Sequence, residues 1–361
     1  MGYITGYIGT YTEAAYQGRG RGIYGFTFDD ERGTIEDLRL VAETVNPTYL
    51  TLGSGFLYAV NETQNFEGKP SGGVSAFSIE AEKNSLRLIN RQSSEGKDPC
   101  HIALNQGQTH GVVSNYSSGT IAVLPIEQGG GLGPAAQVIA LSGSGPNRER
   151  QEASHAHFFI FDRRNAYGFA CDLGADRVMA YSYDPDRAAP LTPAASPWFS
   201  VHPGAGPRHG VFASAAGDSV YYGINELDST MDVLAYNEGR GTFSRLQTIG
   251  LLPPGVSIAN TGAAIKISPG GNFVYASNRG HDSITVFKTD PSGTAVYLAT
   301  VPSGGMTPRD FEIDPSGRFL LVCNQNSDNL GIFRIDPKRG LLTQEREYSA
   351  PSPVCLKFRA P

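Results

Sequence analysis

One pattern recurs seven times along the chain and restricts its fold more than any single motif. An apolar run closing on Asn or Asp appears as Phe56-Leu-Tyr-Ala-Val-Asn61, His110-Gly-Val-Val-Ser-Asn115, Tyr167-Gly-Phe-Ala-Cys-Asp172, Val220-Tyr-Tyr-Gly-Ile-Asn225, Phe273-Val-Tyr-Ala-Ser-Asn278 and Phe319-Leu-Leu-Val-Cys-Asn324. A degenerate copy, Ile4-Thr-Gly-Tyr-Ile-Gly9, opens the chain, and successive copies begin 52, 54, 57, 53, 53 and 46 residues apart. A period near 50 residues means that each copy is one supersecondary unit that buries its apolar faces only against its neighbours.

Two more patterns travel with the first. Segments rich in Val, Ile, Phe and Tyr follow each copy at 22–29, 73–80, 120–127, 177–184, 230–237, 283–290 and 329–336. Several alternate as half-buried strands do. A third set precedes the runs at 47–52, 99–104, 155–160, 207–212, 262–267, 308–313 and 353–358. The last of these has no partner after it, so its partners are the strands at 3–12 and 22–29. The fold class that follows is all-β, a seven-bladed β-propeller in which strands from both termini complete one blade. Such closure removes the open sheet edge. The whole span, 1–361, reads as one domain, with Gly/Pro-rich stretches at 128–150 and 185–206 expected to be long loops. The 44 glycines and 23 prolines suit turns and inter-blade loops.

Composition excludes several classes. A net charge of −6 argues against a nucleic-acid binder, which carries a basic field. No apolar run reaches the length of a membrane-spanning helix, and the N-terminus shows no basic region followed by an apolar one. The four cysteines, Cys100, Cys171, Cys323 and Cys355, show no C-x-x-C spacing and read as buried small hydrophobes. Cytoplasmic residence, as a monomer or a weak homo-oligomer, is the expectation.

Where the copies differ from one another, function is to be sought. The heads of the first strands and the tails of the second converge on one mouth of the central channel. The third head position reads Tyr49, His101, His157, His209, Ala264, Asp310 and Cys355; the second includes Cys100, Arg208 and Arg309. The residues after the second strands read Thr10, Glu62, Tyr116, Leu173, Glu226, Arg279 and Gln325. Arg208, Arg279 and Arg309 can pair with a phosphate or carboxylate, and an arginine beside a carbonyl can stabilise an oxyanion. A histidine can take a proton from water. Together these groups suit an anionic ester or lactone.

Each also has a plainer reading. Propeller histidines often tie blades together, and Arg208 with Glu226 makes a plain buried ion pair. His101 reads as structural or as a substrate contact, rather than as a base. The recurring Asn and Asp at the strand ends read as turn or capping residues, because every blade has one. The histidines come from different blades without carboxylate spacing, so neither a metal nor another cofactor is expected.

The segments Tyr7-Ile-Gly-Thr-Tyr-Thr12, Leu57-Tyr-Ala-Val-Asn-Glu62, Gln151-Glu152 ahead of His155-Ala-His157, Gly206-Pro-Arg-His209, Asn225-Glu-Leu227, Tyr275-Ala-Ser-Asn-Arg-Gly280 and Pro308-Arg-Asp-Phe311 span nearly the whole chain. In that order they resemble the lactonase family of seven-bladed propellers, typified by the bacterial propeller-type 6-phosphogluconolactonases. The family is similar in fold to the carboxymuconate-lactonising enzymes, whose site has one His, one Glu and two Arg. The resemblance carries those roles to His157 (or His155), Glu226, Arg208 and Arg279 as catalytic residues. His155, His101, His209, Arg309, Glu62 and Gln325 are then expected to contact substrate. It implies hydrolysis of an anionic sugar lactone, 6-phosphogluconolactone first. A muconate-type lactonising cyclase and a non-catalytic ligand-binding propeller are the alternatives. Two departures, Ala264 at an often acidic position and Gly270 in place of a turn Asp, bear on the sugar rather than on the reaction class.

Overall fold

A computed structural model describes residues 2–80, 85–213 and 220–359. These form seven four-stranded antiparallel sheets, set as blades around a channel. In the closing blade the C-terminal strand Pro353–Phe358 lies innermost, followed by Tyr3–Thr10, Gly22–Asp29 and Thr34–Glu43. The two termini meet in register, Gly6 opposite Phe358 and Ile8 opposite Leu356. The ring closes as a hydrogen-bonded sheet, with no open edge between its first and last blades.

The second strand of each blade packs against neighbouring blades through both faces. Val220–Asn225 and Phe319–Asn324 are buried at every position, which explains their unbroken apolar runs. The hydrophobic clusters span pairs of blades, as where Ile224 and Val233 pack with Val274, Ala276 and Phe287 of the next. The outermost strands are half exposed and polar, as in Thr242–Gly250 and Leu342–Ser349. They therefore carry no apolar signature to repeat. This corrects the expected loops: Gln137–Ala140 pairs with the strand Thr120–Pro125, and the ten-residue Leu191–Ser200 pairs with Arg177–Tyr183.

The terminal Asn and Asp of the second strands are structural. Asn278 Nδ2 donates to Thr285 Oγ1 (3.0 Å), and Asn115 Nδ2 donates to the carbonyl of Ser94 (2.8 Å). Asp172 Oδ1 accepts from the backbone N–H of His155 and of Ala175. In the closing blade the slot is filled by Thr10, whose hydroxyl donates to the Gly22 carbonyl.

Candidate active site at one channel mouth

The innermost strands share a defect at one end, and it builds the site. In four blades the pairing with the second strand skips one residue near its start: Cys100 between Pro99 and His101, His157 between Ala156 and Phe158, Arg208 between Pro207 and His209, and Arg309 between Pro308 and Asp310. The closing blade skips Val354 in the same way. Such a bulge turns the extra side chain away from its pleat position. Here all five extra residues line one small cavity of about 10 Å³, along with Thr48, Tyr49, Glu62, His209 and Asp310.

The pairing corrects two assignments. Ala156 lies opposite Asp172, so Ala156 stands where Pro99 and Pro207 do, and His157 is a bulge residue beside Arg208 and Arg309. Phe158, not His157, takes the third position. There four rings touch in sequence: Tyr49 to His101 at 4.2 Å, His101 to Phe158 at 4.3 Å and Phe158 to His209 at 4.9 Å, the last pair stacked. Because Thr10 fills the Asn slot, the residue after the second strand in that blade is Tyr11, whose hydroxyl donates to Glu62 Oε1 (2.8 Å).

Glu226 is the electrostatic centre. Arg208 Nε lies 2.8 Å and Arg279 Nη2 2.9 Å from Oε2, while Arg150 Nη2 lies 2.5 Å from Oε1. The Arg208 contact is an ion pair by distance but is not aligned as a hydrogen bond, since Nε has no hydrogen-bond acceptor. Burial by itself would raise the Glu226 carboxyl, but Arg279 and Arg208 hold it well below the usual carboxylate range. Burial and the neighbouring Arg279 push Arg208 down to about 10, so it remains a cation at neutral pH. Glu62 accepts from Tyr11 and from Thr48 Oγ1 (2.5 Å), and burial raises its carboxyl against the pull of Arg309. Arg309 lies over the Tyr11 ring at 5.3 Å and makes no ion pair within 4 Å among the described residues. Its carboxylate neighbour is Glu62, which acts on it without direct pairing.

The histidines divide by what they touch. His101 Nδ1 accepts the backbone N–H of Phe159 in the next blade (3.3 Å), a tie between blades. His155 stacks on Tyr116 at 4.5 Å, and both of its ring nitrogens are occupied, by the Tyr116 carbonyl (3.0 Å) and by Glu152 Oε1 (3.2 Å). A close approach sets that segment, since a Cβ on Gly174 would fall 1.8 Å from the Ala153 carbonyl oxygen. His157 and His209 lie 5.2 Å apart, ring to ring. Each buries one nitrogen, Nδ1 and Nε2 respectively, with no partner. Burial, then Arg208, depresses both well below the ordinary imidazole value, so both are neutral at physiological pH. The site therefore brings His157, His209, Arg208, Arg309 and Glu62 onto one cavity, with Glu226 paired to both Arg208 and Arg279. His101 and His155 are held in structural contacts beside it. Gln325 stands apart at the rim, where its carbonyl accepts from Arg19 (3.4 Å). Ala264 is fully buried among Phe311, Tyr275 and Ile284 and lines no part of the cavity.

A family model described as "Lactonase, 7-bladed beta-propeller" matches residues 5–358. The chain belongs to the seven-bladed lactonase family. It is 35% identical over 357 residues to the 6-phosphogluconolactonase of Bacillus subtilis, covering 98% of this chain and 97% of the relative. Among solved structures, a candidate 6-phosphogluconolactonase from Bacteroides fragilis superposes with a TM-score of 0.91 at 36% identity, covering 99% and 98% of the two chains. The periplasmic gluconolactonase of Pseudomonas aeruginosa superposes with a TM-score of 0.91 at 33% identity, covering 99% of each.

For this lactonase-family chain, the residues that sequence reasoning missed are Arg150, Tyr11 and Thr48. Thr48 is the second residue of the head segment at 47–52, and Tyr11 falls within the family segment Tyr7–Thr12. Arg150 lay in a stretch read as loop, with only its place just before Gln151 to mark it. Among the described residues no group of three or more His, Cys, Asp or Glu side chains is arranged to hold a metal ion, and no helix is long and apolar enough to cross a membrane.

Proposed function

We propose that this protein hydrolyses an anionic sugar lactone, with 6-phosphoglucono-1,5-lactone as the preferred substrate. The observation that carries the reading is the pairing, at one channel mouth, of a neutral His157 bearing an unpartnered ring nitrogen with Arg309, a cation that forms no ion pair among the described residues. Arg309 is suited to the phosphate, which a guanidinium binds through paired hydrogen bonds.

In the step that follows, His157 takes a proton from water as the water oxygen bonds to the lactone carbonyl carbon. The carbonyl electron pair moves onto its oxygen, where Arg208 or Arg279 stabilises the charge. Collapse re-forms the carbonyl and breaks the bond to the ring oxygen, which leaves as a hydroxyl with the proton from His157. The product is the open-chain acid. Glu226 makes no hydrogen bond to His157 and is instead held by three guanidiniums, so its part is to position the arginines.

The names of the relatives support lactone hydrolysis, two of them for the phosphorylated sugar. The name of the Pseudomonas relative favours the unphosphorylated one as the competing substrate. Proton release on opening 6-phosphoglucono-1,5-lactone and glucono-1,5-lactone, corrected for spontaneous hydrolysis, is the test. No acceleration of either would overturn the reading. Cytoplasmic residence remains part of the proposal. Four buried, unpaired thiols support it, and fractionation of the native host checks it.

A further inference from the structure

We propose that Arg150 is a substrate-binding residue that exchanges Glu226 for the phosphate of the incoming sugar, and so sets selectivity for phosphorylated lactones. The inference rests on the lactone-hydrolase reading and adds a residue to its binding site.

Three guanidiniums crowd one carboxylate that offers two oxygens. Arg150 takes Oε1 and also donates to the Tyr116 hydroxyl (3.2 Å), while Arg208 and Arg279 share Oε2. Only one of the three can leave without opening the interior: the Arg150 side chain is 40% exposed, against 3% for Arg208 and 15% for Arg279. When it leaves, Glu226 keeps two counter-charges.

The backbone beneath Arg150 is anchored, so the exchange needs side-chain rotation alone. Gln151 is fully buried, and its Nε2 donates to the Leu173 carbonyl (2.9 Å) and to Asp176 Oδ1 (2.8 Å). Its backbone N–H donates to the Asn147 carbonyl (2.7 Å). These contacts hold Arg150 beside Glu226, through which it adjoins Arg208 of the cavity lining. The cavity of about 10 Å³ is far smaller than a sugar, so binding requires side chains at the mouth to move.

Charge shows what the displaced guanidinium would meet. Arg150, Arg208, Arg279 and Arg309 stand at the mouth with Glu62 and Glu226, while Asp98 acts on Glu62 and Glu152 on Arg150 from beside it. Deeper in the channel Lys266 and Lys357 are balanced by Asp310 and Glu312. A phosphate monoester brings about −1.5 to −2 near neutral pH, more than the single carboxylate charge that Arg150 would give up.

The test compares wild type with Arg150→Ala, Arg150→Lys and Arg148→Ala, the last an exposed neighbour as control. Removing Arg150 is expected to raise KM for 6-phosphoglucono-1,5-lactone by about tenfold while kcat and the KM for glucono-1,5-lactone change by less than about threefold. Arg150→Lys should recover part of the loss, and Arg148→Ala should behave as wild type. Titration with inorganic phosphate, followed by calorimetry, reads the site without turnover, and Arg150→Ala should weaken it by about fivefold or more. Unchanged phosphate affinity overturns the proposal whatever the kinetics show, and so does an equal rise in KM for both lactones. A wild type that opens neither lactone, yet loses phosphate affinity on Arg150→Ala, sinks the hydrolase reading and leaves the role of Arg150 standing.

Discussion

Arg208 Nε lies 2.8 Å from Glu226 Oε2, and the two side chains are only 3% and 4% exposed. The first leaves its strand at a bulge and the second follows the last pair of the adjoining strand, so one irregularity of one sheet makes the contact. Arg279 of the next blade completes it (2.9 Å). Removing one partner of such a pair strands a buried charge. Glu226→Gln is therefore expected to destabilise the fold by about 3–5 kcal/mol. It should also lower lactone opening by about 100-fold, because the arginines lose their common anchor. Denaturant midpoints and the lactone assay check the two effects separately.

His157 and His101 should respond in opposite ways. The first lines the cavity and buries an unpartnered Nδ1; the second accepts a backbone N–H from the next blade. His157→Gln is expected to lower kcat by about 10²–10⁴ with little loss of stability. His101→Gln should cost about 1–3 kcal/mol of stability and leave kcat within a few-fold once the folded fraction is corrected for. Thermal melts run beside steady-state kinetics distinguish them.

Acid should unfold this protein earlier than its carboxylates alone would suggest. Burial holds His101, His157 and His209 well below their ordinary value of 6.5 in the folded chain. The unfolded chain therefore takes up these protons first as the pH falls. Their stabilising contribution is complete above about pH 6.5 and is lost below it, by up to about 1.4 kcal/mol per histidine per pH unit. Glu226, held low by its arginines, adds a loss at still lower pH, whereas Glu62, raised by burial, works in the other sense. A series of melts from pH 8 to pH 5 should show the falling midpoint. Over the same range kcat/KM should stay level through pH 6.5, because the base remains unprotonated.

Arg309 forms no ion pair among the described residues, but its charge offsets the buried Glu62 carboxylate, so removing it should cost modest stability. Arg309→Met is expected to raise KM for the phosphorylated lactone by about 10- to 100-fold and to lower the melting temperature by about 2–4 °C. Raising the salt concentration should weaken substrate binding in wild type more than in the variant.

The recurring asparagines should matter for folding alone. Asn278 Nδ2 donates to Thr285 Oγ1 (3.0 Å) and Ser283 Oγ (3.3 Å) inside its blade. Asn278→Ala is expected to cost about 1–3 kcal/mol through the unpaired groups it leaves. A kcat per folded molecule close to wild type would separate this role from that of Arg279 next to it.

The sequence by itself determined the ring. Strands such as Val220–Asn225 are packed on both faces and must be apolar throughout, so their runs repeat and can be counted, as can the unpaired C-terminal strand that calls for an N-terminal partner. It also placed Arg208, Glu226, Arg279 and Arg309 at one mouth, because head and tail positions follow from counting along antiparallel strands. The outer strands stayed illegible because solvent accepts almost any polar residue there.

Only the tertiary structure decided register and partnership. A single skipped residue exchanges His157 with Phe158 at the third position, and no local composition marks where a strand bulges. Charge pairing was equally out of reach: Arg150 lies 76 residues from Glu226 along the chain, and its reach to that carboxylate depends on how Gln151 is anchored beneath it. Strand identity is written in local burial, whereas the aim of a side chain and the partner of a charge depend on contacts between blades.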